Sequence, residues 1–124
     1  MANEISASVG LGFTKNGITE SITVVTTKFT MTGNNYVRET ILVPITAGGT
    51  IVPKGSIGTP GWSYFKNLDG SGNAVQILVA QSGSALVQLN PGEFCLLRFA
   101  SGASTPAMIA LNSSVLADVF IIEN

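Results

Sequence analysis

"NEISASVGLGFTKNGITESITVVTTKFTM", residues 3–31, decides the fold class. In its first half Ile5, Ala7, Val9, Leu11 and Phe13 alternate with Ser6, Ser8, Gly10 and Gly12. Successive side chains of a strand point to opposite faces, so this period of two predicts a half-buried strand with its apolar residues on one side. Asn16-Gly17 follows, a pair suited to the positive φ of a tight hairpin turn. The chain then returns through a β-branched run that places Val25, Thr27, Phe29 and Met31 on a common face.

The same grammar continues outward. After the "GNN" turn, "YVRETILVPI" puts Val37, Glu39, Ile41, Val43 and Ile45 on one side. Glu39 interrupts that stripe, which predicts a place near a sheet edge or beside a cation. Turn signals then crowd together at Pro53-Lys54-Gly55, Gly58 and Pro60-Gly61; proline followed by glycine fits a type II turn. Six short runs complete the chain: "WSYFKNL", "AVQILVA", "SALVQL", "EFCLLRF", "AMIAL" and "VLADVFIIE". No segment of ten residues or more repeats at the helical period. Frequent short strands with Gly/Pro/Asn turns predict an all-β fold: a single antiparallel β-sandwich, jelly-roll-like, of about eight to ten strands. No linker divides the 124 residues, so one domain is expected over 1–124, with an extended N-terminal arm at 1–4.

The later strands are apolar on both faces. In "EFCLLRF", Cys95, Leu97 and Phe99 oppose Phe94 and Leu96; in the last run, Val115, Ala117, Val119 and Ile121 oppose Leu116, Phe120 and Ile122. A sandwich strand needs one apolar face for its core, so the second must be covered. Phe94, Leu96, Leu116, Phe120 and Ile122 are therefore candidate interface residues, covered by a partner subunit or by the long loop at residues 46–61.

Composition points the same way. Only 10% of residues are charged, where soluble domains carry about 25%, and net charge is −1. A polar but nearly uncharged surface has little long-range field to keep neighbours apart. The six cations, Lys15, Lys28, Arg38, Lys54, Lys66 and Arg98, are scattered, which argues against nucleic acid and against a polybasic membrane anchor. No apolar run approaches the ~20 residues needed for a spanning helix, and the start lacks a signal-peptide pattern.

Chemistry finds few carriers. The chain has no histidine, which removes the usual general base and the commonest zinc ligand. Its single cysteine, Cys95, lies mid-strand as a small apolar residue rather than an exposed thiol. Asp118 is an isolated strand carboxylate, and no spacing brings two carboxylates together for hydrolysis. "DGSGN" at 69–73 opens like a calcium loop, but Ala74 and Ala80 stand where glycine and glutamate are required. No catalytic set, cofactor or metal is expected. One alternative remains: Trp62 and Tyr64 share a strand face, with Phe65 on the other beside Ser63 and Asn67, and the Trp/Tyr pair with Asn67 and Asp69 close in sequence could stack a sugar and bond its hydroxyls. Large aromatics at the start of a sandwich strand also serve as core or interface anchors.

Two blocks carry a resemblance. "GWSYFKNLD" at 61–69 and "LNPGEFCLLR" at 89–98, followed by an aliphatic final strand, resemble small virion-associated proteins of tailed bacteriophages. The similarity covers roughly the C-terminal half. The motifs are turn and strand signatures, so the resemblance implies a capsid or tail component and carries no ligand residues with it.

These readings give a non-enzymatic virion structural protein as the expectation, most concretely a capsid decoration or cement protein assembled in the host cytoplasm. Expected partners are further copies of itself, with a trimer suiting the threefold sites of a lattice, and the major capsid protein or other virion proteins. The alternatives are a tail or baseplate structural protein and a carbohydrate-binding β-sandwich for host recognition.

Overall fold

The computed structural model describes residues 4–31 and 33–123. The chain is all-β: ten strands and no helix among the described residues, with every strand pair antiparallel. It divides into two compact units, Met1–Thr32 and Gly33–Asn124. Of the N-terminal arm expected at 1–4, only Glu4 lies among the described residues.

The first unit is a hairpin of β1 (Ile5–Lys15) and β2 (Ile18–Phe29). Asn16 and Gly17 turn the chain with φ of 53° and 78°, the positive pair that matches the twist of the flanking strands. Ile5 pairs with Phe29, Val9 with Val25, Leu11 with Ile22 and Phe13 with Glu20. The register shifts between Val9 and Leu11, where Gly10 alone stands against Thr23 and Val24. This bulge has a consequence for the pattern. The apolar residues of β2 change parity between Ile22 and Val25, and the extra residue returns both to one side of the hairpin. Ser8 and Thr26 meet on the opposite side, hydroxyl to hydroxyl at 2.7 Å. Glu4 closes the open end by accepting the Met31 amide at 3.2 Å.

The period of two thus gives the right strand and the right sidedness. It fails on burial: the expected half-buried face is exposed, with Leu11 at 64% and Phe13 at 51%. The second unit has a complete core of its own and none of its core cluster comes from the hairpin.

That unit consists of two four-stranded sheets. One has the order β3-β10-β5-β8, from β3 (Tyr36–Val43), β10 (Val115–Glu123), β5 (Pro60–Asn67) and β8 (Phe94–Arg98). The other has the order β4-β9-β6-β7, from β4 (Thr50–Ile51), β9 (Ala107–Ala110), β6 (Val75–Leu78) and β7 (Ala85–Leu89). Inward residues of both sheets, among them Phe65, Ile77, Met108, Val119 and Ile121, meet in one core, so the unit is a sandwich. The loop before β5 joins this core through Val52 and Ile57, both buried. It is part of the filling, rather than a cover for the outer face of β8 and β10. Glu39 sits on β3, at the edge of its sheet, where its exposed carboxylate can face water.

Candidate functional site

The outer face of the β3-β10-β5-β8 sheet gathers the five interface candidates together with Trp62 and Tyr64. Strand register arranges them in rows: Arg38–Phe120–Tyr64–Leu96, then Thr40–Asp118–Lys66–Phe94, with Tyr36 opposite Ile122, Leu42 opposite Leu116, and Trp62 opposite Arg98. Five aromatic rings therefore project from one sheet surface. Tyr36 meets Phe120 edge-on at 6.1 Å, Tyr64 lies 6.0 Å from Phe94, and Arg38 stacks over Phe120 at 5.9 Å. Such pairs add to the area they bury and hold the rings in fixed orientations.

All five interface candidates lie on this face. Phe94 is 64% exposed and Leu116 52%, Leu96 is also exposed, and Phe120 and Ile122 are partly covered by their neighbours. Their strand neighbours Val115, Ala117, Val119 and Ile121 are buried beneath. The two-sided reading of β10 is thus observed residue by residue. A shallow cleft at the centre is lined by Arg38, Tyr64, Lys66, Asp118 and Phe120. Asp118 is engaged by the Thr40 hydroxyl, which donates to Oδ1 at 2.7 Å.

The four sugar-binding candidates separate. Trp62 and Tyr64 stay together on the outer face, but Asn67 points inward and is completely buried. Its Nδ2 donates to the carbonyls of Asn73 at 2.9 Å and Leu89 at 3.0 Å, and its Oδ1 accepts the Asp69 amide at 2.8 Å. Asp69 is occupied with its own loop, its Oδ2 accepting the amides of Ser71 and Asn73, both at 2.8 Å. Those amides, Asn73 first, hold its carboxyl below the ordinary carboxylate range. The "DGSGN" segment is thus closed by a self-capping turn that uses the aspartate as a hydrogen-bond acceptor.

The two resembling blocks touch. Gly61–Asp69 contains all of β5 but its first residue and Leu89–Arg98 contains β8, and these strands pair directly. Beyond the pairing, the Asn67 amide donates to Glu93 O at 2.9 Å and the Gly92 amide to Asn67 O at 3.0 Å. The Glu93 carboxylate in turn accepts the Asn90 amide at 2.8 Å, fixing the Asn-Pro-Gly-Glu turn. The asparagine of one block is therefore the fastener that holds the turn of the other.

Sequence reasoning missed Glu123. Its carboxylate accepts the Gly58 amide at 2.9 Å on one oxygen, and on the other the amides of Asn34 at 2.9 Å and Asn35 at 3.2 Å and the Asn35 side chain at 3.1 Å. Gly33 is required beside it, because a β-carbon there would collide with the carboxylate. Nothing local marks this role, since the four donors come from two loops distant in sequence.

Cys95 lies half-buried against the core, and burial pushes its thiol up to about 11. No group of metal-ligating side chains stands together among the described residues. No family model matches the chain, nor does any curated protein or solved structure.

Proposed function

We propose that this chain is a non-enzymatic phage virion structural protein, a decoration or cement protein that seats on a capsid lattice and stabilises it. The observation that carries the reading is the outer sheet face, where Phe94, Leu96 and Leu116 stand exposed above a fully formed core. A monomer rarely leaves so much apolar and aromatic surface in one place unless a partner covers it. Binding of the assembled lattice would then stabilise it by mass action. The partner is the major capsid protein or another virion protein, together with further copies of this chain, and the protein works in the virion after assembly in the host cytoplasm.

The jelly-roll reading is supported by strand order. Counting only the eight strands of the second unit, the sheets run 1-8-3-6 and 2-7-4-5, the connectivity of a strip folded over itself as two Greek keys. Viral capsid and lectin domains both use this architecture, which is support by analogy of fold. The resemblance of Gly61–Asp69 and Leu89–Arg98 to virion-associated proteins favours the first of those uses.

A carbohydrate-binding reading is the second. It draws on the cleft lined by Arg38, Tyr64, Lys66 and Asp118, rather than on Asn67 and Asp69. A tail or baseplate location differs from the capsid one only in where the protein sits.

The test is saturable uptake onto empty capsid shells, with Phe94→Ser and Leu116→Ser as variants. Uptake by the wild type that both variants lose supports the decoration reading. Uptake onto isolated tails instead would move the protein there. Glycan binding that Tyr64→Ala abolishes, with no uptake on either particle, would establish the second reading.

A further inference from the structure

The β1–β2 hairpin has one apolar side, and its other side is polar apart from Val24 at the bulge, itself 69% exposed. Val9, Leu11, Phe13, Ile18, Ile22 and Val25 stand on the apolar side, each between 51% and 64% exposed. At roughly 100 Å² apiece they present on the order of 600 Å² of apolar surface, close to the ~800 Å² per partner of a standard stable interface. A two-stranded hairpin is marginal in water until such a face is packed.

We propose that this side is covered by the same side of a second copy, stacked antiparallel about a two-fold axis. The inference rests on the self-association part of the function proposed above, and not on the capsid.

The reason lies in the order of side chains along the hairpin. From the open end the paired residues are Ile5/Phe29, Ala7/Thr27, Val9/Val25, Leu11/Ile22, Phe13/Glu20 and Lys15/Ile18. Stacked antiparallel, with β1 over β1 and β2 over β2, the second pair faces the fifth. Phe13 then covers Ala7, and Glu20 reaches the hydroxyl of Thr27. Val9 meets Leu11 and Val25 meets Ile22 at the centre, while Phe29 covers Ile18 and the Lys15 stem crosses Ile5. Every large residue finds a smaller one, and the two bulges coincide on the axis. Like charges also separate: the two Glu20 carboxylates lie three pairs apart, about 20 Å at ordinary strand rise.

The alternative stack, tip over tip, puts both Phe13 and both Glu20 in one layer. It leaves Ala7 and Thr27 of both copies facing a void, and it brings the two Glu20 carboxylates to about the spacing of stacked sheets, ~10 Å. Overfilling one layer and emptying another is unfavourable twice, and like charges oppose it again. The hairpin therefore carries its own orientation code. The geometry is two-fold, in place of the threefold grouping that lattice symmetry suggests.

Sedimentation and light scattering of the full chain over a wide concentration range provide the first test. The wild type is expected to reach a dimer, Leu11→Asp to weaken it at least tenfold, and Ser8→Asp on the polar side to leave it unchanged. Trp62 fluorescence reports that the other unit is folded in each variant. A wild type monomeric throughout, or two aspartate variants that behave alike, overturns the proposal. Orientation is read by cross-linking in a Cys95→Ala background. Thr27→Cys and Glu20→Cys chains are expected to link to each other when mixed, and neither to itself. Self-linking of Glu20→Cys, or linking of Ala7→Cys to Thr27→Cys, overturns the antiparallel order. Shell uptake scored on the same samples separates the two readings. A wild-type dimer that ignores shells sinks only the capsid, whereas a monomer that decorates them sinks only the pairing.

Discussion

Asn67 of β5 donates from its side chain to the carbonyl of Leu89 at 3.0 Å, inside a strand of the opposite sheet. The contact is buried, and the same amide also satisfies Asn73 and receives Asp69. An amide that links two sheets and a loop from within the core is fully satisfied only in one arrangement, which makes it a device for specifying register.

Asn67→Ala strands the buried Leu89 carbonyl and removes the side-chain partner of the part-buried Asn73 carbonyl and Asp69 amide. We expect a loss of about 3 kcal/mol, from the cost of unsatisfied buried polar groups. Denaturant titration reads it as a lower midpoint with unchanged slope. A loss under about 0.5 kcal/mol, the range of ordinary surface changes, would mean the network is dispensable.

The outer face predicts the opposite behaviour. Leu116→Ser alters an exposed side chain and should move stability by no more than about 0.5 kcal/mol, whereas Phe94→Ser also loses the ring contact with Tyr64 and should cost about 1 kcal/mol. Thermal melts check this before any binding experiment is interpreted.

Glu123 makes stability sensitive to acid. The Gly58 amide first, and the Asn34 amide next, hold its carboxyl below the ordinary value. A carboxyl lowered on folding contributes stability above its unfolded value of 4.5, and that contribution is lost as pH falls through the folded value. Glu123→Gln should flatten this part of the acid limb. Denaturant midpoints from neutral pH downward, compared between wild type and variant, give the measurement; parallel curves would contradict it.

Cys95 works at the other end of the scale. Its thiol is raised by burial from 9.0 to about 11, so its stabilising effect is complete below 9.0 and lost as pH rises through about 11. That rise leaves the folded protein with roughly one hundredth of the thiolate of the unfolded chain at mildly alkaline pH. Reaction with an aromatic disulfide reagent should therefore be at least about a hundredfold slower before unfolding than after.

Gly10 faces Val24 across the bulge, and a β-carbon there would sit 2.9 Å from Val24 Cγ2. Gly10→Val should disturb the hairpin, and Val24→Ala should restore it, because the obstacle is a single methyl. Protection of the β1 amides from hydrogen exchange follows both steps. Failure of the second change to rescue the first would place the strain in the backbone.

Much of this was readable in advance because strand parity is a local property. The alternation of Val115 through Ile122 gives both the buried and the outward set of β10 without knowledge of its neighbours. Glu39 announces an edge for the same reason. What parity cannot convey is pairing. Tyr36 and Arg38 join the aromatic face only because β3 lies beside β10, a partnership between the two ends of the second unit. Parity places Asn67 with Ser63 and Phe65, opposite Trp62 and Tyr64, but the carbonyls that satisfy it there come from β7 and a loop that parity does not name. The first hairpin shows the converse: its pattern promises a buried side, but a pattern does not say which molecule provides the cover.

The position of β10 between β3 and β5 also sets a timetable. On the ribosome the hairpin is complete once Phe29 has emerged, whereas β3 must wait until Val115–Glu123, its neighbour in the sheet, is made. Local pairings close quickly and distant ones slowly, so a finished hairpin precedes a finished sandwich. Nascent chains on one message thus have a finished Ile5–Phe29 hairpin through which to meet while the sandwich is still being translated.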